Sequence, residues 1–113
     1  MDKLFDIVFL DEVLEFLERL DKKHSGKILF NIRKAQMVQD PELLEKLQDD
    51  IWELRTLYQK AHYRLFCFWD KNEHGTALVI STHGIIKKTG KVPPKEILKA
   101  KQIRSKYFED KNK

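Results

Sequence analysis

The sequence holds a single cysteine, Cys67, so no intramolecular disulfide framework is available to it. Cys67 lies between Phe66 and Phe68 in a predicted strand and reads as a buried apolar filler without a catalytic role. No apolar run approaches the length of a membrane span, and the acidic opening, MDKLFDIVFLDE, has too short an apolar run for a signal peptide. A cytoplasmic protein with no membrane association is the expectation. No spacing of His, Cys, Asp or Glu resembles a metal site, and no glycine-rich phosphate loop or nucleophilic triad is present. Neither metal nor cofactor is therefore expected. Internal repeats, low-complexity segments and linkers are also missing, and 113 residues suffice for one core but not two, so a single domain over 1–113 is expected.

What the chain does have is charge, unevenly placed. The formal net charge is only +4, yet residues 87–113 carry ten Lys/Arg against three Asp/Glu, and the rest of the chain is slightly acidic. That asymmetry points to a polyanion or an acidic partner for the C-terminal part, with a solvated basic helix as the plainer alternative.

Periodicity divides the chain into elements. Leu4 to Leu10 reads as a short strand. Asp11 can cap a first amphipathic helix with Val13, Phe16, Leu17 and Leu20 on its apolar side, ending near residues 21–23. Ser25 can cap a second helix through about Gln39, which Asp40-Pro41 would stop. Residues 41–50, PELLEKLQDD, read either as a short helix started by Pro41 or as a loop. Two alternating stretches follow within 51–70, then a polar turn over 70–75 that contains His74. A last strand over 76–86 places Leu78, Ile80 and Thr82 on one side and Val79, Ser81 and His83 on the other. Pro93-Pro94 leads into a final helix with Ile97, Ala100, Ile103 and Tyr107 opposite a stripe of Lys95, Lys99, Gln102 and Lys106. The order is strand, helix, helix, three antiparallel strands, helix. It predicts an α+β fold, with the N-terminal strand at the sheet's edge, the helical hairpin on one face and the other face concave and polar.

The most informative stretch is Ile51–Asp70. Trp52-Glu53-Leu54-Arg55 and Tyr63-Arg64-Leu65-Phe66 each alternate around an arginine, and a two-residue link at Gln59-Lys60 would set Arg55 directly opposite Arg64. Facing like charges cost roughly 0.2–1 kcal/mol. Such a pair points to an anion between them. Tyr63 and Trp69 fall on the face away from the arginines and read as core, as does Tyr107 on the apolar stripe of the last helix.

Four pieces together, Trp52-Glu53-Leu54-Arg55, Tyr63-Arg64, His83-Gly84-Ile85-Ile86-Lys87-Lys88, and Pro93-Pro94 followed by Glu96-Ile97 and Ala100, resemble the phage-derived HigB-like group of the RelE/ParE toxin superfamily. The resemblance runs over nearly the whole chain. It departs at Ile85, where that group usually has an aromatic residue before its lysine pair. It implies a compact RelE/ParE-like α+β fold and the toxin half of a type II toxin–antitoxin pair. The implied activity is ribosome-dependent endoribonucleolytic cleavage of messenger RNA, inhibiting translation. Implied partners are the ribosome, messenger RNA and a cognate helix-turn-helix antitoxin. ParE-type members of the same fold instead poison DNA gyrase by protein–protein contact, which is the principal alternative.

Cleavage by attack of the 2′-hydroxyl needs cations at the phosphate and groups that move protons. Arg55 and Arg64 are the candidate phosphate clamp, because guanidinium is a rigid, permanently charged fork. Surface arginines paired with Glu53 or Asp70 are the alternative. Of Lys87 and Lys88, successive residues at a strand end, one is expected to face the arginines as a phosphate contact or a proton donor, and the other to bind RNA backbone. Lys91, Lys95 and Lys99 extend the candidate RNA-binding surface. His83 is a candidate general acid or base, weighed against a half-buried strand histidine, and His62 on the nominal face of Arg64 is a second. His24 and His74 look incidental.

Overall fold

The computed structural model describes residues 2–71, 77–88 and 90–113. Along the chain these form β1 (Asp6–Phe9), α1 (Asp11–Arg19), α2 (Lys22–Met37), β2 (Leu44–Gln48), β3 (Ile51–Tyr58), β4 (Ala61–Lys71), β5 (Ala77–Lys87) and α3 (Pro94–Lys111). The strands make a five-stranded sheet in the order β1-β5-β4-β3-β2, with β1 parallel to β5 and every other neighbouring pair antiparallel. The α+β architecture, the edge position of the N-terminal strand and the C-terminal helix are as the sequence predicts. The turn predicted over 70–75, with His74, lies largely outside the described residues.

Several boundaries differ for local reasons. Asp11 is inside α1, whose N-cap is Leu10 with no side-chain cap. Asp11 and Glu12 instead support the helix by placing negative charge in its first turn. Asp21, not Ser25, caps α2 by accepting the Lys23 amide at 2.8 Å. Ser25 sits within that helix and donates its hydroxyl to the Leu17 carbonyl at 2.6 Å, tying α2 to α1. Residues 44–48 form neither helix nor loop but a fourth antiparallel strand, β2. The Leu-Leu-Glu-Lys-Leu spacing suits a helix. The chain extends instead because it can pair along β3 through a tight reversal in which Asp49 has φ 53°, a left-handed conformation that Asp tolerates.

The sheet is covered on both faces. On one, Leu54, Tyr63, Leu65, Cys67 and Val79 pack against Val13 of α1 and Ile28, Ile32 and Ala35 of α2. On the other, Ile51, Phe66, Phe68 and Ile80 pack beneath Ala100, Ile97, Tyr107 and Phe108 of α3. The second face is therefore not an open polar surface throughout. Two buried phenylalanines there need cover, and α3 supplies it, while a groove stays open at the end that carries Arg55.

Acids from the rest of the chain hold α3 in place. Lys99 reaches Glu12 at 2.6 Å, Lys101 reaches Asp49 at 2.5 Å, and Arg104 lies 3.5 Å from Asp50. Asp70, buried on β4, accepts from Tyr107 Oη and Lys111 Nζ, each at 2.7 Å. Much of the C-terminal basic excess is thus spent within the molecule.

A β-bulge shifts the register between β4 and β5. Phe66 opposes His83 while Cys67 opposes Ser81, so Thr82 is the extra residue. Strict alternation places His83 with Val79 and Ser81; the bulge moves it to the α3 face with Phe66, and brings Ile85 and Lys87 to the face of Arg64.

Gly84 lies where α1 crosses β5. A Cβ there would come within 2.7 Å of both Leu65 Cδ2 and Phe16 Cδ2. Gly84→Ala is expected to cost about 1–3 kcal/mol by overpacking, measured as a lower urea midpoint. Adding Phe16→Leu should recover part of that loss.

Candidate functional site

The β3–β4 turn sets the geometry. Gln59 and Lys60 have φ of 48° and 68°, the doubly left-handed two-residue turn that matches the twist of a hairpin. Its register puts Arg55 opposite Arg64, Leu57 opposite His62, and Tyr58 opposite Ala61. On the far side of β4, Arg64 opposes Ile85 and His62 opposes Lys87. Two rungs therefore cross three strands on one face: Arg55–Arg64–Ile85, and next to it Leu57–His62–Lys87.

The two arginines occupy different environments. Arg55 keeps a third of its side chain exposed and donates from Nη1 to Glu45 Oε2 at 3.0 Å. Arg64 is only 3% exposed, and its Nε lies 2.7 Å from Oε1 of Glu53, itself 5% exposed. The two atoms are close enough for an ion pair but lack hydrogen-bond alignment. Arg64 Nη1 donates to the Tyr63 carbonyl at 3.2 Å. The alternative of paired arginines is thus realised with Glu53 and Glu45. Asp70 is engaged elsewhere, with Lys111 chiefly holding its carboxyl below the usual range.

Burial dominates the electrostatics here. It pushes the Glu53 carboxyl above its ordinary value despite the opposing pull of Arg64 and Arg55. It also lowers Arg64, which Glu53 partly offsets. Lys87 is lowered first by burial, then by the positive charges of Arg64 and Arg55.

These side chains open onto a groove of about 690 Å³ lined by Arg55, Arg64, Lys87, Lys88 and His62, with Leu57, Leu43, Asn31, Glu42 and Gly90 completing its walls. β5 ends at Lys87, so strand alternation does not turn Lys88 away and both lysines line the groove. Among the described residues neither Lys87 nor Lys88 has an ion-pair partner. Lys91 is exposed on the segment leading to α3. Lys95 lines a separate groove beside Gln48, Val92 and Lys101, and Lys99 is paired with Glu12.

His83 is not brought to this groove. It is 2% exposed, stacks on Phe66 with ring centroids 4.8 Å apart, shares a 2.9 Å hydrogen bond with Thr82 Oγ1, and places Nε2 3.3 Å from Glu96 of α3. Burial and then Lys99 lower its pKa, with Glu96 opposing them. The sequence alternative of a half-buried strand histidine is nearer to this, but the Thr82 bulge carries the ring fully under α3.

His24 is the residue the sequence undervalues. In α2 its Nε2 donates to Gln59 Oε1 at 3.1 Å, its Nδ1 shares a 2.7 Å hydrogen bond with Tyr63 Oη, and its ring meets Tyr58 edge-on at 4.9 Å. It thereby braces the hairpin turn against α2 from behind the arginines. Only the long-range pairing of the hairpin over α2 reveals this, and no local signal does. Tyr63 and Trp69 pack in the core on the opposite face, as predicted.

The raised Glu53 carboxyl has a testable consequence. Between its unfolded value near 4.5 and its higher folded value, the native state binds the proton more tightly, so its contribution to stability falls as pH rises through that window. Glu53→Gln lacks this titration. The stability of the Gln variant relative to the parent is therefore expected to rise from pH 4 towards pH 8 in urea melts. A Gln variant that loses stability relative to the parent as pH rises would contradict this.

Among the described residues no helix is long and apolar enough to cross a membrane. No curated protein matches the chain. The phage-derived protein Gp49-like family (DUF891) matches residues 15–105, a span from α1 to α3 that includes the paired arginines, the lysine pair and Gly84. The chain therefore belongs to the Gp49-like family of phage-derived proteins, a RelE/ParE-like toxin family.

Proposed function

We propose that this chain is the toxin of a type II toxin–antitoxin pair and a HigB-like, ribosome-dependent endoribonuclease acting on messenger RNA. The observation that carries this reading is the convergence of Arg55, Arg64, Lys87 and Lys88 from three strands on one open groove. Inhibition by protein–protein contact has no need of a convergent cationic site. Family membership supports toxin activity and an antitoxin partner. A helix-turn-helix antitoxin would cover the same charged surface, and the whole chain would act as one domain in the cytoplasm.

In this mechanism the 2′-oxygen of the substrate attacks the adjacent phosphorus, the bond to the 5′-oxygen breaks, and a 2′,3′-cyclic phosphate forms. Arg55, the more accessible guanidinium, binds a non-bridging oxygen, and Arg64 adds a fixed charge from the groove floor. Lys87, whose lowered pKa makes it a better acid than an ordinary lysine, protonates the leaving 5′-oxygen. The 2′-hydroxyl proton passes to solvent in the open groove. Lys88 and Lys91 contact flanking phosphates, and Lys95 is available to RNA on the neighbouring surface. His83 serves by holding α3 on the sheet beneath the groove.

Arg55→Ala and Arg64→Ala are each expected to lower messenger-RNA cleavage about 10²–10³-fold, by analogy with removing one transition-state donor, and to relieve growth arrest with the fold retained by circular dichroism. Since Lys87 must be protonated to act as the acid, cleavage should decline as pH rises past its lowered pKa. Lys87→Arg should remove that alkaline decline together with most of the rate. Mapping messenger-RNA 5′ ends after brief expression tests the class: new ends within translated codons are expected. DNA damage with intact messenger RNA would overturn the nuclease reading in favour of ParE-like binding to gyrase.

A further inference from the structure

Phosphate chemistry accounts for only one side of the groove. The rung beside the arginines carries Leu57, which is 59% exposed on the face that also bears Arg55 and Lys87, directly opposite His62. Residues two apart along a strand are separated by about 7 Å, so this rung lies one step from the phosphate position. The exposed leucine beside the imidazole offers a weakly hydrated apolar surface next to the cations.

The edge of that surface is rich in acceptors. The Arg55 amide donates to the Leu43 carbonyl at 2.8 Å, which carries the preceding residue, Glu42, alongside the Thr56–Leu57 end of β3. Among the described residues the Glu42 side chain has no ion-pair or hydrogen-bond partner. Asn31 gives one amide N–H to Thr56 Oγ1 at 3.1 Å, which fixes its carboxamide at the groove wall with its side-chain oxygen free to accept.

From this we infer that Leu57, His62, Glu42 and Asn31 form a nucleobase subsite that selects bases bearing an exocyclic amino group. The base stacks on the Leu57–His62 rung, and its amino group donates to the Glu42 carboxylate and the Asn31 oxygen. Adenine, cytosine and guanine carry such a donor, whereas uracil turns a carbonyl towards the carboxylate. The inference rests on the nuclease reading for the nature of the ligand and adds what that reading lacks, a preference among nucleotides.

Titration of the ¹⁵N-labelled full chain with AMP, CMP and UMP, followed by NMR, tests it. AMP and CMP are expected to shift the Leu57 and His62 amides and to bind about tenfold more tightly than UMP, the margin of one hydrogen bond to a charged group. Glu42→Ala should abolish the difference while retaining binding through the arginines. In cells, the same variant should spread messenger-RNA 5′ ends to uridine positions that the parent avoids. Equal binding of all three nucleotides, or shifts confined to Arg55, Arg64 and Lys87, overturns the subsite and leaves the phosphate reading standing. No shift with any nucleotide also overturns it. Base-selective binding without messenger cleavage in cells keeps the subsite and removes the nuclease reading.

Discussion

The site depends on one constraint, the two-residue turn at Gln59-Lys60. Both residues are held at positive φ, without the Asn or Gly that usually relieves such a turn. Adopting that conformation costs each of them roughly 1–2 kcal/mol. His24, which bonds Gln59 and Tyr63 and packs on Tyr58, opposes that cost by fixing both strands and the turn to α2. With the turn fixed, Arg55 must face Arg64, and the chain meets the resulting repulsion with Glu45 on one side and Glu53 on the other.

Those two carboxylates give the arginines unequal roles. Glu45 is exposed, so its attraction for Arg55 is weakened by solvent and an arriving phosphate can displace it. Glu53 is buried, and its pairing with Arg64 persists as part of the fold. The groove therefore combines a mobile cation that can follow a ligand with a fixed one that sets the local field. Lys87 lies next to both and responds to the field through its lowered pKa.

The legible parts of the sequence were those governed by period and by turn length. Alternation over 51–70 and a two-residue link were enough to place Arg55 against Arg64, and the same arithmetic put Tyr63 and Trp69 in the core. Features set by tertiary context were not legible. The helix-like spacing of residues 44–48 concealed β2, which exists because β3 offers it an edge. The bulge at Thr82 carries no sequence mark of its own, yet it decides which face receives His83 and Lys87. The basic C-terminal run suggested a long polyanion surface, but Glu12, Asp49, Asp50 and Asp70 take up much of its charge. Within the candidate site, the facing of Arg55 and Arg64 was visible from strand geometry, whereas the approach of Glu42 to Leu57 depends on the long-range pairing of β2 with β3.

The hairpin turn also makes the arrangement of this groove sensitive to chain length. Substitutions in the groove remove one charge at a time and can revert by a single base change. The gain or loss of one codon between Tyr58 and Ala61 acts differently, because it turns one strand's side chains over relative to the other. Arginine would then be driven towards the packed face and leucine towards water, with composition and net charge barely altered.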